Sequence, residues 1–413
     1  MYKQIFLLHL IFLSFTSQSY SKSYKGHHRK STSVDFNGFK PNVAFRGWDY
    51  LYFHRPKVLN RDFPQTGLSE FYEEFKCRRS SNCHDYYFSP RVSYVNKSIK
   101  EDTFRYNFGG QTLNLPYFIR NVHNPKGIVF LLHGTGGSKN ILKKVTAHYF
   151  ANRLMAEGFS VVSFSALARI AKDLGQNSKN GVQWDVSLDK RNKDHQQFTS
   201  LVNHLTRKGY IERNTPKISI GMSNGGNFSL SLGTAKLVDN AIAYCVQGKE
   251  AYEKISVPGA LFLCPEDSII DNEKAIKFAK NVKKKNKNFL YTKGRKIPLT
   301  INSLAKIFNS QGKQMPRRDA NMLIEDFKNP SRLNYCRPLI DSKGNIIASK
   351  NYFVSLLKKR RKLYSCFPSI RKVGSSFKKE ILNQIIISFG GHNFYDHLAG
   401  TNIKFIKKTL RIK

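Results

Sequence analysis

Five short apolar runs occupy the middle of the sequence, and each is followed by a polar or glycine-containing segment. They are Gly127–His133, Phe159–Phe164, Lys217–Gly221, Ala241–Cys245 and Ala260–Cys264. Continuous apolar runs of this length are typical of strands buried on both faces of a parallel sheet. Segments with helical periodicity lie between them, at residues 145–157, 198–205 and 228–238. Strands that alternate with helices predict an α/β protein with a mostly parallel central sheet flanked by helices.

Two further segments extend this pattern at its ends. Residues 103–108 and 115–122 have the composition of two strands, and the glycine pair 109–110 between them predicts a hairpin. Near the other end, Ile385–Phe389 (IIISF) is predicted to be the last core strand. Residues from about 281 to 380 carry 25 Lys or Arg against 5 Asp or Glu, with no clear buried strand. The sequence therefore predicts a long basic insertion before the last core strand.

The formal net charge of the 413-residue chain is +41, and about half of it lies in this insertion. The lysine-rich runs at 283–287 and 358–362 would suit phosphate groups. Aromatic residues are not interleaved with these runs in a nucleic-acid-binding motif, so no specific nucleic-acid recognition is predicted. An anionic polymer or lipid headgroups outside the cytoplasm are better partners for the insertion. A solvated basic surface without a partner is the alternative.

The first 19 residues have the pattern of an export signal. An apolar run from Ile5 to Phe15 follows a lysine, and small residues then suit cleavage after Ser19. The run is too short to span a bilayer, although an uncleaved anchor is the alternative. Residues 20–98 are predicted to form a tail and leader region, and residues 99–413 the main domain. The protein is therefore expected to be secreted or periplasmic.

Export permits disulfides among the six cysteines. Six cysteines allow fifteen complete pairings, so the connectivity stays open. Two bridges are favoured: Cys77–Cys83, because they are close in sequence, and Cys336–Cys366, because both lie in one basic segment. Cys245 and Cys264 lie in predicted core strands, where buried free thiols are expected. No CxxC or His/Cys cluster has the spacing of a structural zinc site, so no metal is predicted.

The chemistry of the chain centres on residues 221–225, which read Gly-Met-Ser-Asn-Gly. This G-x-S-x-G motif lies between a predicted strand and a predicted helix. A serine at such a sharp turn is held in strained backbone geometry, and the flanking glycines remove the resulting clashes. The helix that begins there also points its first amide groups at the site. The motif predicts a nucleophile at Ser223, against the alternative of an ordinary tight turn.

Four segments now carry a resemblance to a known fold: LLHGTGGS at 131–138, the stretch 205–226 ending in ISIGMSNGG, PGALFLCPEDSII at 258–270 and FGGHNF at 389–394. The chain resembles an α/β-hydrolase, and within that fold the secreted esterases of the polyhydroxybutyrate-depolymerase and feruloyl-esterase type. The resemblance covers roughly residues 103–280 and 384–413. It implies the α/β-hydrolase fold and leaves the substrate class open, since this fold hosts many chemistries.

The resemblance also implies a catalytic triad in the order serine, acid, histidine. A serine hydroxyl needs a base to take its proton, and the base needs an acid to orient it. Asp267 stands where the acid of the family lies, with Glu266 and Asp271 as nearby alternatives. His392 stands where the base lies, with His397 as the alternative.

An oxyanion formed during ester cleavage needs backbone N–H donors. The residue after the nucleophile, Asn224, would supply one amide. The loop after the strand at 127–133 would supply the other, from Thr135 or, alternatively, Gly136. A phosphate-binding glycine loop is disfavoured there because the Lys-Ser/Thr pair of a P-loop is missing. Trp184 could line an acyl pocket, and a packed surface aromatic is an equal alternative.

Together these features predict an exported serine hydrolase that cleaves a carboxylic ester through an acyl-enzyme. The substrate would be a small or polymeric ester, and no cofactor is implied because all the reacting groups are protein groups. A serine peptidase of the prolyl-oligopeptidase type is one alternative, although the residues before the main domain are too few for a propeller. A non-catalytic hydrolase-like protein that binds acidic polymers is the other.

Overall fold

A computed structural model describes residues 99–412 of the chain, apart from 109–110, 174–181, 268, 295, 310–311 and 396–397. The predicted export signal, the leader region, the Cys77–Cys83 bridge and His397 lie outside the described residues. None of the helices in the described part of the chain is long and apolar enough to cross a membrane.

One eight-stranded sheet forms the centre of the described chain, with the strand order β1-β2-β4-β3-β5-β6-β7-β8. Its strands are β1 (Lys100–Phe108), β2 (Gln111–Arg120), β3 (Gly127–Leu132), β4 (Phe159–Phe164), β5 (Lys217–Met222), β6 (Asn240–Tyr244), β7 (Gly259–Leu263) and β8 (Phe289–Lys293). The predicted hairpin pairs β1 with β2 antiparallel, and β2 also pairs antiparallel with β4. All the other neighbours are parallel. The mostly parallel sheet predicted from the apolar runs is confirmed.

Helices connect the strands and continue beyond the last one. They are α1 (Val145–Ala156), α2 (Leu167–Asp173), α3 (Lys193–Arg207), α4 (Asn224–Thr234), α5 (Asn272–Lys285), α6 (Ile301–Ala305), α7 (Arg317–Lys328), α8 (Lys350–Lys358), α9 (Arg360–Cys366), α10 (Ser369–Lys372), α11 (Lys378–Phe389) and α12 (Ala399–Thr409). Two short 3-10 helices are formed by Lys139–Lys143 and Glu250–Lys254.

Alternate residues of the central strands enter two different apolar layers. On one face, Phe130 of β3 packs in a cluster that includes residues of α3, α4 and α5. On the other face, Val129 and Leu131 pack in a cluster with residues of α1 and α12. The central strands are therefore covered on both faces, which explains why they are apolar at nearly every position.

The segment Ile385–Phe389 is not the predicted strand, because it forms the last part of helix α11. Its isoleucines favour strands locally, but the helix is buried on opposite sides: Ile385 and Ile386 pack with α6–α10, and Ile387 packs against the sheet layer. Its last five residues are enclosed in this way and are apolar except for Ser388, so they show no visible 3.6-residue pattern. The last strand is β8, within the segment predicted to lack one, so most of the basic insertion follows the last strand rather than preceding it.

Residues 297–389, here called the helical segment, have an apolar core of their own. Residues from α6 to α11 form this cluster, and the rings of Phe353 in α8 and Phe389 in α11 stack with centroids 4.6 Å apart. The predicted disulfide between Cys336 and Cys366 is present within it. Cys245 and Cys264 are also joined as a disulfide rather than being free thiols. They come directly after the adjacent parallel strands β6 and β7, with their Cα atoms 5.3 Å apart, which brings the two side chains together.

Candidate active site

The turn from β5 to α4 holds Ser223 in a conformation that few L-residues adopt. Its φ is 58° and its ψ is −127°, outside the ordinary strand and helix regions. A Cβ on Gly221 would overlap the carbonyl of Gly225, and a Cβ on Gly225 would overlap the carbonyl of His133. The two glycines of the motif are therefore required by close backbone approach, as expected for a nucleophile elbow.

The elbow lies at the carboxyl edge of the sheet, between the ends of β3 and β6. The Ser223 N–H donates to the carbonyl of Tyr244 at 2.9 Å. On the other side, a Cβ built on Gly134 would lie 3.3 Å from the Cβ of Ser223. Crevices outside the carboxyl ends of parallel strands are where open α/β sheets bind their ligands.

Asp267 and His392 form a buried hydrogen-bonded pair. The distance from His392 Nδ1 to Asp267 Oδ2 is 2.7 Å, and the residues are 7 % and 6 % exposed, respectively. The other carboxylate oxygen, Oδ1, accepts hydrogen bonds from the backbone N–H groups of Ile269 and Ile270 at 2.8 and 3.1 Å. Both oxygens of Asp267 are thus fixed, and a carboxylate on Nδ1 leaves Nε2 as the ring nitrogen that can exchange a proton with substrate.

The two alternative acids have other partners. Glu266 lies 3.2 Å from the ammonium of Lys296 in a partly exposed ion pair. Asp271 caps the first turn of α5, where its carboxylate accepts from the N–H groups of Glu273 and Lys274. Neither role turns the carboxylate towards His392, so of the three acids it is Asp267 that contacts the histidine.

The predicted oxyanion donors differ in whether their backbone N–H groups already have hydrogen-bond acceptors. The Gly136 N–H donates to the carbonyl of Val182 at 2.8 Å. The Thr135 N–H has no hydrogen-bond partner within the part of the chain that the structure describes, and Thr135 is half-buried. Asn224 is the first residue of α4, so its N–H has no acceptor one turn earlier in the helix. Of the two alternatives in the loop, Thr135 has the amide that is available.

A polar network that the sequence did not predict supports the loop of Thr135. The ring of His133 is fully buried, with Nδ1 2.8 Å from the Gly134 carbonyl and Nε2 accepting from the Ala166 N–H at 3.1 Å. This is the neutral tautomer with its proton on Nδ1, and burial lowers the pKa of His133 to about 3. The position of His133 directly after a buried strand is the sequence feature that could have indicated its role in supporting the loop of Thr135.

Trp184 neither lines an acyl pocket nor lies on the surface, because its side chain is 2 % exposed. Its indole N–H donates to the His133 carbonyl at 2.8 Å, and its backbone N–H donates to the Asn224 side chain at 2.7 Å. The indole also stacks on Phe228 of α4, with ring centroids 4.5 Å apart. Trp184 therefore links the loop of Thr135 to the start of α4, the two places that carry the predicted oxyanion donors.

Asp194, in α3, stabilises the same region by accepting two hydrogen bonds. Its two oxygens accept from the N–H groups of Leu167 and Asp185 at 2.9 and 2.6 Å. Burial is the main cause that raises the pKa of Asp194 to about 7, against the opposing effect of these hydrogen bonds. The residue holds two loops beside Trp184 and does not contact Ser223 or His392 by any interaction in the described structure.

The helical segment reaches the site at two points. The Gly390 carbonyl, just after α11, accepts from the Glu266 N–H at 2.9 Å, and a Cβ on Gly390 would overlap Pro265. Lys350, at the start of α8, donates from its ammonium to the Asp267 carbonyl at 3.1 Å. These contacts hold the loop of the acid against the loop of the histidine.

Among the described residues, metal-binding atoms gather near this site only at Cys245, Cys264 and Asp267, which lie within 4.8 Å of one another. The two sulfurs form a disulfide, and the carboxylate contacts His392. The two sulfurs and the carboxylate therefore already have other partners. A separate open groove of about 600 Å³, lined by Arg105 and Arg207 among others, lies beside β1 and α3 and includes none of the predicted site residues.

Comparison with solved structures returns hydrolases at low identity. An esterase from an Arctic intertidal metagenomic library is 15 % identical, with a TM-score of 0.36, and the match covers 49 % of this chain and 88 % of that one. A dienelactone hydrolase from Anabaena variabilis is 14 % identical, with a TM-score of 0.35 and 48 % and 86 % coverage. An acylaminoacyl peptidase from Pyrococcus horikoshii is 13 % identical, with a TM-score of 0.35 and 48 % and 37 % coverage.

No protein-family model matches the sequence, and no curated protein matches it either. The assignment of the fold therefore rests on the molecule itself. The sheet is mostly parallel and covered by helices on both faces, and a strained serine stands in a G-x-S-x-G turn between β5 and α4. With this architecture, the described chain has the α/β-hydrolase fold.

Proposed function

We propose that this protein is a serine hydrolase that cleaves carboxylic esters through an acyl-enzyme. The observation that carries the proposal is the combination of a strained serine at the elbow with the buried pair of Asp267 and His392, 2.7 Å apart. A histidine oriented by a carboxylate is what a serine hydroxyl needs to become nucleophilic.

In the proposed mechanism, Ser223 Oγ attacks the carbonyl carbon of the ester while His392 takes the hydroxyl proton on Nε2. Asp267 keeps the imidazole in the required tautomer and stabilises its protonated form. The amides of Asn224 and Thr135 receive the negative charge that develops on the carbonyl oxygen. The intermediate then collapses, and His392 returns the proton to the alcohol that leaves.

Deacylation repeats the same steps with water. His392 takes a proton from a water molecule, which attacks the carbonyl carbon of the acyl-serine. The second tetrahedral intermediate uses the same two amides. Its collapse releases the acid, and His392 returns its proton to Ser223 Oγ. Apart from the ester and water, the cycle uses only groups of the protein.

We further propose that the chain is exported, because residues 1–19 have the pattern of a signal peptide. Two disulfides in the described chain are compatible with an oxidising compartment. Cleavage of the chain after Ser19 in a secreting host, read from the mass of the mature protein, would test this proposal.

Intact mass after exposure to a fluorophosphonate tests the chemistry. We expect one adduct on the wild type and none on Ser223→Ala, with Ser342→Ala, on the surface of the helical segment, as the matched control. Ester and amide substrates with the same acyl group then test the bond, and we expect turnover of the ester to exceed that of the amide. A folded wild type that forms no adduct would contradict the proposed nucleophile.

A further inference from the structure

Exposed large apolar side chains are concentrated in one part of the helical segment. Among the described residues, four large apolar side chains are exposed, and three of them are Leu333, Tyr335 and Ile347. Leu333 and Tyr335 are each 43 % exposed, and Ile347 is 56 % exposed. All three lie in the connection between α7 and α8, where no strand or long helix accounts for them.

This connection is held rigidly although it lies on the surface. The Cys336–Cys366 disulfide attaches it to α9. Beside the disulfide, Ser331 donates from its N–H to the Cys366 carbonyl at 3.0 Å and from its hydroxyl to the Ser365 carbonyl at 2.7 Å. The exposed side chains are thus presented by a fixed backbone, so little conformational entropy would be lost if they met a partner.

Cations lie beside two of these side chains, Leu333 and Tyr335. The ammonium of Lys362 lies 5.1 Å from the centre of the Tyr335 ring, and Arg332 and Arg337 flank Leu333 and Tyr335 in sequence and are exposed. We define these five residues as the basic-apolar patch. Between residues 331 and 377 the chain has 11 Lys or Arg and a single Asp.

We propose that the basic-apolar patch docks on the surface of an anionic lipid bilayer. Cations near a negatively charged leaflet each contribute to binding, and exposed leucine and tyrosine side chains can enter the headgroup region. A soluble polyanion would be bound by the cations alone and would leave the apolar side chains in water. The mixture of both kinds of side chain therefore favours a lipid surface over an acidic polymer.

Helix α8 connects the patch to the proposed active site. Its first residue, Lys350, donates to the Asp267 carbonyl, and the hydroxyl of Tyr352, two residues later, hydrogen-bonds to the backbone of Arg337. A bilayer bound at the patch would therefore lie close to the loop of Asp267. Docking itself does not depend on the proposed catalysis, and it is tested by binding alone.

Flotation of the full chain with vesicles tests the proposal. Vesicles of phosphatidylcholine are compared with vesicles in which one third of the lipid is phosphatidylglycerol, and we expect binding to the anionic vesicles only. Replacing Arg332, Arg337 and Lys362 by Gln should weaken partitioning about 100-fold, since each cation near an anionic surface contributes about 1 kcal/mol. The matched control replaces Arg207, Lys208 and Arg213 by Gln. These three residues are exposed and lie at the end of α3 and just after it, outside the helical segment.

The apolar part of the patch needs its own variant. Leu333→Ser with Tyr335→Ser should weaken partitioning at least about tenfold by removing buried apolar area. Leu188→Ser, an exposed leucine outside the helical segment, is the control. Near-ultraviolet circular dichroism on each variant confirms that the fold is retained.

Two results would overturn the proposal. If the variant with Leu333→Ser and Tyr335→Ser binds anionic vesicles as well as the wild type does, the attraction is electrostatic only and the patch is not a lipid-docking surface. If heparin binds the chain through the same three cations while the vesicles do not bind, the surface recognises an acidic polymer instead. Loss of vesicle binding in both patch variants, with both controls unchanged, supports it.

Discussion

The described residues of 99–296 together with α12, here called the sheet body, bury their apolar residues differently from the helical segment. The two regions lead into different parts of the proposed active site. The sheet body has two layers of apolar contacts on opposite faces of one sheet and carries Ser223 and the loop of Thr135. The helical segment has a separate cluster of short helices and ends in α11, directly before His392. The proposed nucleophile and the proposed base therefore lie next to two differently built cores.

This difference has a consequence for the pair of Asp267 and His392. Asp267, the proposed acid, follows β7 of the sheet, whereas His392, the proposed base, follows a helix that packs against both cores. The proposed catalytic hydrogen bond therefore spans the boundary between the two regions. Variants on either side of this boundary test whether the two regions contribute separately to stability and turnover.

The largest effect is expected at the acid. Asp267→Asn should reduce turnover of an ester about 10⁴-fold, because the amide favours the wrong histidine tautomer. Glu266→Gln should stay within about threefold of the wild type, since its ion pair with Lys296 is partly exposed. Steady-state kinetics on a chromogenic ester measures both. An equal loss in the two variants would mean that the loop, rather than the Asp267 carboxylate, is what matters.

A cavity created in either core should increase hydrogen exchange in a different part of the molecule. Leu261 in β7 and Leu356 in α8 are both fully buried, and replacing either by Ala should reduce the free energy of unfolding by about 2–5 kcal/mol. We expect Leu356→Ala to increase hydrogen exchange mainly within residues 297–389, because that cluster is built from short helices. Leu261→Ala should affect exchange across the sheet. Exchange measured by mass spectrometry that rises uniformly in both variants would argue for one cooperative unit.

The two regions also differ in their buried carboxylates. Burial is the main cause that raises the pKa of Asp194 in the sheet body to about 7, and burial raises the pKa of Asp326 in the helical segment as well. A raised carboxyl pKa means that the folded state binds more protons than the unfolded state above the ordinary pKa of about 4. The contribution of Asp194 to stability should therefore fall as the pH rises from about 4 to about 7.

Chemical denaturation at several pH values, on the wild type and on Asp194→Asn, measures this slope. The free energy of unfolding of the wild type relative to the variant should decrease across that pH range. Asp326→Asn is the matched comparison in the helical segment. A difference between wild type and Asp194→Asn that does not change with pH would show that Asp194 stays ionised when folded.

The smallest effect is expected below the oxyanion loop. Trp184→Phe removes the hydrogen bond to the His133 carbonyl and should lower kcat about tenfold with little change in KM, because the Thr135 amide would be less well placed. Tyr252→Phe removes a similar buried hydrogen bond, from the hydroxyl to the Val186 carbonyl at 2.7 Å. Both should lose about 1 kcal/mol of stability. If kcat falls by the same factor in Trp184→Phe and in Tyr252→Phe, Trp184 has only a structural role.

Much of the sheet body could be predicted from the sequence, because its strands are buried on both faces and stand out as apolar runs. The elbow could be predicted too, since close backbone approach demands glycines at fixed spacing. The apolar periodicity predicts a start of α4 at 228 rather than at 224, because the small residues after Ser223 carry no such pattern.

The helical segment was harder for a physical reason. The isoleucines of α11 favour strands locally, and only the packing of the helix between two cores decides the outcome. Strand β8 was missed because it is short and lies at the edge of the sheet among lysines. The Cys245–Cys264 pairing depends on β6 and β7 being neighbours in the sheet, which the sequence alone does not show.

The backbone at Ser223 also bears on the balance between stability and activity. A non-glycine residue at φ 58° and ψ −127° carries strain on the order of 1–3 kcal/mol. Glycine would adopt the same turn without that strain, so a chain with Ser223→Gly should be at least as stable although it would lack the proposed nucleophile. At this position the serine lowers the stability of the native state, as expected where a side chain is kept for chemistry rather than for folding.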